Sequence, residues 1–429
     1  MKLIEIDSKK FDKEALKSSE ITFHQSSAWA KLKEYNGWKA YYFALEDKKK
    51  VKACALILEK ELPIVKKKIW YSPRGFLLDY NDKEVLKDFT ESIKEEAKKH
   101  DVVFIKIDPY VKYKEHDNNG ALVEGGFDNS STITNLKELG YKHFGFNVMQ
   151  DSLQPRWMHV IDTKGKSLDE VMEDMESKTR QILRKNMKSS VICRDITRDE
   201  LPIYKEIMQK TSDRRAFIDR PLSYYEHMWD AFYDKGMLKI MIAEIDFEEY
   251  YKNTEDELKE IEDAYNDRKE KYEKKLLQMN EKRYNGRQKQ DESAMERLKG
   301  QLDKIKKYQK EYGKKTILGG ILFLIYGNEV LSLYGGSNEE LMNFQSAYSL
   351  HFEGIKYAVE NKYNRYNFYG ITGDFSQDNP LYGLYLFKKS FGGVVEELIG
   401  EFDLIINKPL YYLYKISYGL YHKIKNIRH

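Results

Sequence analysis

A charged helical hairpin interrupts a β-hairpin, and this constrains the chain more than any other feature. On one side runs MLKIMIAEI (237–245) and on the other TILGGILFLIYG (316–327). Both flanks are rich in β-branched and aliphatic residues and too short to span a membrane. Between them, 246–313 read as two long helices: Leu258, Ile261, Tyr265, Tyr272 and Met279 fall on a 3–4 repeat, as do Met295, Leu298, Leu302, Ile305 and Tyr312. Charge sets the direction of pairing. Residues 246–263 carry nine acids against two lysines, while 297–311 carry six bases against two acids. Only an antiparallel hairpin brings these stretches side by side. The reversal is expected at RYNGRQKQD, around Gly286, and the arm should project roughly 50 Å.

A chain of 429 residues has room for two or three domains, and 41% hydrophobic residues support real cores. A net charge of +3 confines anion binding to local patches. Cys54 and Cys193 are far apart, in strand-like settings, and read as buried thiols of a reducing compartment. The N-terminal MKLIEIDSKK turns polar before any signal-length apolar run develops. No apolar stretch reaches the roughly 18 residues of a membrane span. The expectation is a cytoplasmic protein that meets a membrane only from its surface.

The same order of elements occurs twice. A helix containing Trp29 leads through Gly37 to the strand KAYYFALED, a short turn at 47–50, the strands VKACALILEKEL and KKKIWYSPRGFLL, a helix over 82–99 and the strand VVFIKIDPY. From Tyr224, a helix containing Trp229 leads through Gly236 to LKIMIAEI, the arm, TILGGILFLIYG, VLSLYGGS, a helix over 338–361 and the strand YNFYG. The arm stands where the first copy has its turn. This predicts a duplicated α+β domain with largely antiparallel sheets. The expected division is 1–152 for the first domain, 153–245 with 314–429 for the second, and 246–313 for the arm. The copies are joined by KELGYKHFGF, the strand QPRWMHVI and a basic helix over 168–189, in which Arg180, Arg184 and Lys188 share one face.

Several blocks resemble the Fem/MurM peptidoglycan-bridge aminoacyltransferases: YSPRGFLLDY, FIKIDPY, LKELGYKHFGF, RYNFYGITGDFSQD and IGEFDLIINKPLYYLYK. They extend over nearly the whole chain. The resemblance implies two GNAT-like (acyl-CoA N-acyltransferase) domains in tandem, with an antiparallel coiled-coil arm inserted in the second. It implies an enzyme that moves an amino acid (Gly, Ala or Ser) from aminoacyl-tRNA to the stem-peptide amine of lipid II, or of a UDP-MurNAc-pentapeptide-type precursor. It places the work at the inner face of the plasma membrane and implies no cofactor. The QPR block and the SPRGFLLDY form are closer to members that add the first bridge residue.

The residues are compatible with that chemistry. An amino acid delivered as an activated ester needs no ATP, and the chain has neither a GxxxxGK[ST] loop nor a GxGxxG opening a helix. It has no GxSxG elbow, neither cysteine lies beside a histidine, and its nine histidines show no HExxH spacing, so no metal is expected. A precursor diphosphate favours an Arg plus Lys clamp. By the resemblance, Lys33 and Arg220 occupy the phosphate-contacting positions, with Tyr224 four residues on. By themselves they read as a solvated helical lysine and a surface arginine before proline. For the transfer step the resemblance implicates Tyr334, Tyr369, Asp374 and Lys388, the last as the lysine that stabilises the oxyanion. Read without it, Lys388 ends a solvated helix, the tyrosines belong to a core, and Asp374 is either a helix cap or a base for the amine. Arg74 and Asp108 either pair with each other, cap strands or touch substrate.

The face of Arg180, Arg184 and Lys188 is either a track for RNA phosphates or an ordinary solvated face. Residues 408–429 carry five Lys/Arg and no acid, interleaved with Tyr411, Tyr412, Tyr414, Tyr418 and Tyr421. They form either an interfacial amphipathic helix or a last helix docking its tyrosines on the second domain. The arm, with 17 bases against 18 acids, serves either tRNA or a homodimer contact. Two rivals stand beside the transferase reading: a coenzyme A-dependent N-acyltransferase, and a non-catalytic tRNA-binding or coiled-coil scaffold. The first normally shows a Gly-rich pyrophosphate turn, which YGGSNEE and YSPRG lack. The second has no need of polar and aromatic residues converging on strand ends.

Overall fold

The structure is a computed structural model that describes residues 1–62, 66–147, 153–215 and 218–427, with side chains described up to 417. The chain begins with β1 (Lys2–Glu5), α1 (Ser8–Ala15), α2 (Ser27–Glu34), β2 (Lys39–Asp47), β3 (Lys50–Glu61) and β4 (Lys68–Ser72). Helix α3 (Lys83–Lys99) then crosses over to β5 (Val102–Ile107). A connecting segment holds β6 (Lys112–Glu115), α4 (Ser130–Glu138), β7 (Tyr141–His143), β8 (Trp157–Asp162), α5 (Leu168–Glu173) and α6 (Ser177–Lys188). The opening pattern returns as β9 (Val191–Asp195), α7 (Leu201–Arg215), α8 (Leu222–Phe232) and β10 (Leu238–Asp246). After the arm helices α9 (Phe247–Glu273) and α10 (Glu281–Tyr312) come β11 (Lys315–Tyr326), β12 (Glu329–Ser337), the crossover α11 (Ser346–Glu360) and β13 (Arg365–Ile371). The chain ends with α12 (Tyr382–Lys389), β14 (Val394–Leu398), β15 (Phe402–Ile405) and α13 (Lys408–Ile427).

The strands form two sheets, ordered β1-β2-β3-β4-β5-β15-β7 and β6-β14-β8-β13-β12-β11-β10-β9. Each is antiparallel except for one parallel pair, β4 with β5 and β12 with β13, where a helical crossover makes the connection. The repeat holds to the level of irregularities. Asp47 pairs with Lys50 at the end of β2–β3, and Asp246 with Lys315 at the end of β10–β11. Each pair follows a register shift, between Leu45 and Glu46 in one copy and Ala243 and Glu244 in the other. In the first copy Lys48 and Lys49, with φ of 47° and 66°, close the turn; in the second the whole arm does. One apolar layer lies between the sheets, where Trp29 and Leu32 of α2 join Trp229 and Phe232 of α8. The outer faces are covered by α3 and α4 on the first sheet and by α11 and the arm base on the second.

The division expected along the sequence is corrected at two points. β15, assigned with the second domain, pairs with β5 and β7 in the first sheet, and β6 pairs with β14 in the second. The copies complete each other: β15 lies antiparallel beside β5 as β8 lies beside β13. Helix α13 follows β15 and seats Tyr411 against Phe104, 5.3 Å between ring centroids, so it docks on the first domain and not the second. Tyr418 and Tyr421 lie outside the described side chains. The boundary residue 152 also lies outside the described residues.

The arm is an antiparallel pair. Lys299 Nζ lies 3.1 Å from Glu262, the Tyr265 hydroxyl 2.8 Å from Glu292, and Arg268 meets Asp291, so partners fall along one helix as they rise along the other. Leu258, Leu298 and Leu302 form the seam. The reversal is not at Gly286, which lies inside α10, but between α9 and Asn280, whose side chain accepts from Arg283 N and caps α10. Stacking of Tyr272 on Tyr284 at 3.8 Å fixes that tip. An exposed helical glycine costs only about 1 kcal/mol, so Gly286 does not force a turn. Met279 falls in the reversal and not in the seam.

Candidate active site

A cleft of about 830 Å³ opens between the two sheets, lined by Lys33, Arg220, Tyr224, Tyr334 and Tyr369 among others. Lys33 comes from the last turn of α2, which Ser26 starts by accepting from Trp29 N. Its ammonium lies 4.3 Å from the Trp29 ring centroid. Burial first, then the charges of Arg220 and Lys60, lower its pKa to about 8. Arg220 stands just before α8, its guanidinium 5.4 Å from the Tyr224 ring centroid. Among the described residues neither cation has a carboxylate partner at ion-pair distance, and such a pair of cations marks a place for an anion. Tyr225 and Tyr334 meet edge to face at 6.4 Å, and Tyr204 donates to Tyr334 O at 2.9 Å.

Tyr369 enters the cleft from a bulge. β12 and β13 pair from Glu329–Arg365 to Leu331–Asn367, and beyond this no pairing joins them. There the register of β13 against β8 shifts between Asn367 and Gly370, and Tyr369 takes a left-handed φ of 62°. Three bonds hold this strained backbone. Asn367 Oδ1 accepts from Tyr369 N at 2.7 Å, and Lys388 Nζ donates to Phe368 O at 2.8 Å and to Gly370 O at 2.7 Å. Lys388 is 7% exposed, and burial lowers its pKa to about 7. Buried His159 and His351, close enough to feel its charge, are lowered to about 3, chiefly by burial. The Tyr369 hydroxyl donates to Gln154 Oε1 at 2.7 Å.

The remaining expected residues are placed differently. Arg74 and Asp108 form a buried pair: Asp108 accepts from Arg74 N at 2.8 Å and faces its guanidinium at 3.7 Å, while Arg74 Nη2 donates to Pro155 O at 2.6 Å. The pair stands behind the cleft, where burial raises the Asp108 pKa to about 6. Lys388 is held on the backbone of β13 and does not line the cleft. Asp374 is exposed and closes a turn by accepting from Ser376 N at 2.9 Å; it caps no helix, since α12 begins only at Tyr382. The expected basic helix is two helices. Arg180 binds the carbonyls that end α5, at Met172, Glu173 and Met175, which removes it from a phosphate track. Arg184 is exposed and Lys188 lies 3.7 Å from Glu257 on the arm. Lys185 instead joins Arg297, Lys304 and Tyr308 along a groove between α6 and α10.

Sequence reasoning missed several lining residues. His24 shares a hydrogen bond with Thr22 Oγ1 at 3.0 Å, and burial followed by the charges of Arg74 and Lys33 drives its pKa well down, leaving a neutral imidazole. Gln154 sits immediately before Pro155, in a block (QPRWMHVI) that carries no separate signal for it. Lys106, Phe144 and Lys415 also line the cleft. A lone lysine between Ile105 and Ile107 in an apolar strand was the available signal for Lys106. Among the described residues, no group of three or more His, Cys, Asp or Glu could hold a metal ion.

The family model described as the FemAB family matches residues 6–418. Aminoacyltransferase FemA of Staphylococcus epidermidis is 30% identical over 97% of this chain and 98% of its own length. A lipid II:glycine glycyltransferase of Staphylococcus aureus is 32% identical over 91% of this chain and 89% of its own. The crystal structure of FemX superimposes with a TM-score of 0.82 at 29% identity, covering 96% of this chain and 99% of that one. With two sheets that complete each other, an arm between β10 and β11, and a family match running almost from end to end, this chain belongs to the FemAB family.

Proposed function

We propose that this chain is an aminoacyltransferase that moves an amino acid from aminoacyl-tRNA to the stem-peptide amine of lipid II in cross-bridge synthesis. The observation that carries the reading is the convergence of Lys33 and Arg220 on the cleft into which the β13 bulge delivers Tyr369. The cation pair suits a diphosphate, and the names of the relatives supply the substrate class. The amine attacks the ester carbonyl carbon. A C–N bond forms, the bond from that carbon to the ribose oxygen breaks, and the proton lost by the amine is balanced by one taken up at the ribose oxygen. Orientation of two large substrates supplies much of the rate. The Gln154 amide, oriented by the Tyr369 hydroxyl, offers N–H donors to the developing oxyanion.

Lys388 acts through Tyr369 as a positioning residue, because its ammonium is committed to the carbonyls of β13. The tRNA meets the groove of Lys185, Arg297 and Lys304 together with the arm. No helix among the described residues is long and apolar enough to cross a membrane. The enzyme approaches its lipid-linked acceptor from the surface, through the exposed Tyr412, Leu413 and Ile416 of α13. The test compares Lys33→Met with wild type for binding of lipid II and of aminoacyl-tRNA. Loss of lipid II affinity alone is expected; unchanged lipid II affinity would contradict the assignment of the cleft.

A further inference from the structure

The cleft has a second basic cluster that the diphosphate reading leaves unused. Lys106 on β5 and Lys415 on α13 both line it, and their ammonium groups lie 4.4 Å and 4.5 Å from the Phe144 ring centroid. Both are fixed from behind by one carboxylate. Asp403, with no exposure, lies 3.0 Å from Lys106 and 3.3 Å from Lys415, and accepts from the Tyr411 hydroxyl at 2.9 Å. Glu401 lies 3.1 Å from Lys106 and also accepts from Leu153 N at 2.6 Å.

A buried aspartate is neutralised by one cation, and here two are supplied. With Lys142 also facing Phe144 at 5.8 Å, three lysines stand against two carboxylates among the described residues of the cluster, a balance of one positive charge. The two lysines are held differently: against its burial, Lys106 has its pKa raised by the charges of Asp403 and Glu401, whereas burial lowers that of Lys415 against Asp403, with the charges of Lys106 and Lys142 adding to the fall. One net charge beside an aromatic floor suits a monoanion better than a phosphate dianion. The charges that act on Lys33 are those of Arg220 and Lys60, with neither Lys106 nor Lys415 among them, so the two lysine pairs are separate.

We infer that Lys106 and Lys415 form a carboxylate subsite that reads the free C-terminus of the acceptor's stem peptide, in the same cleft as the diphosphate clamp but apart from it. The inference rests on the proposed function and specifies how that site selects its acceptor. An acceptor held by its diphosphate at the clamp and by its terminal carboxylate at the subsite would have its amine drawn across the mouth of the β12–β13 opening.

The test is calorimetric binding of a soluble nucleotide-linked precursor, prepared with its stem peptide ending in a carboxylate or in a carboxamide. Wild type is expected to bind the carboxylate form about tenfold more tightly, the scale of one charge-assisted contact. Lys415→Gln is expected to reduce that preference below about threefold while leaving carboxamide affinity unchanged, and Lys415→Arg to retain the preference. Equal affinity of wild type for the two forms, or an intact preference in Lys415→Gln, would overturn the subsite while leaving the diphosphate clamp standing. Failure of wild type to bind either form would overturn the proposed function itself. The wild-type comparison is decisive even if the variants do not fold.

Discussion

Lys388 grips Tyr369 by its backbone: its ammonium bridges Phe368 O and Gly370 O, the carbonyls on either side of the tyrosine, at 2.8 Å and 2.7 Å. These acceptors leave the ladder where β13 bulges, and a buried carbonyl without a donor is costly. Lysine is suited to the task because an ammonium and a neutral amine can both donate twice. The bulge thus stays formed whether or not Lys388 is charged.

Turnover should therefore depend on the side chain but not on its charge. Lys388→Met is expected to lower kcat by roughly 10²-fold with precursor affinity nearly unchanged. In wild type, kcat should not fall as pH rises from about 6 to about 9. A fall with a midpoint near 7 would instead make the ammonium a direct oxyanion stabiliser.

The same lysine leaves a signature in stability. Its folded pKa of about 7 lies below the ordinary lysine value of 10.5, so between these values the unfolded chain holds a proton that the folded chain has released. Stability contributed by this group rises with pH across that window. From pH 7 to pH 9 wild type should gain about 2 kcal/mol more than Lys388→Met in chemical denaturation. Parallel pH profiles for the two proteins would exclude the shift.

Precursor binding should carry a different pH dependence. Lys33 titrates at about 8 in the free protein, and only its ammonium attracts a diphosphate. Affinity should fall about tenfold from pH 7 to pH 9 in wild type and stay level in Lys33→Arg, whose charge persists. Arg220→Ala should weaken binding by roughly 1.5–3 kcal/mol without changing the fold, as read by titration and circular dichroism. An unchanged dissociation constant would remove Arg220 from the clamp.

The arm was legible because its signals are local: periodicity, opposed charge along the two helices, and a strand on each side. The duplication was legible for the same reason. The exchange of β15 into the first sheet was not, because its pairing with β5 joins residues such as Phe402 and Ile107, far apart in the chain, and leaves no local pattern. Lys33, Arg220, Tyr224, Tyr334 and Tyr369 do meet in one cleft, but the part played by Lys388 depends on a bulge that the word RYNFYG does not reveal. Gln154 and Lys415 acquire their positions only through long-range packing.

Shortening the arm tests its use. Phe247 packs at its base on Phe344 and Tyr308, so replacing 258–302 with a short glycine-containing loop should keep the base and the fold. Precursor binding should persist, and transfer from full-length aminoacyl-tRNA should fall at least about tenfold as the phosphate contacts of α10 are lost. Full transfer activity would exclude the tRNA role, and a change from dimer to monomer in light scattering would assign the arm to self-association.

The most direct measurement is transfer in vitro, with lipid II and tRNAs charged in turn with glycine, alanine and serine. The account predicts one amino acid added per lipid II at the stem-peptide amine, seen as the corresponding mass increase, and abolished when the tRNA is uncharged. No product with any charged tRNA, or an acyl group taken from coenzyme A instead, would contradict it.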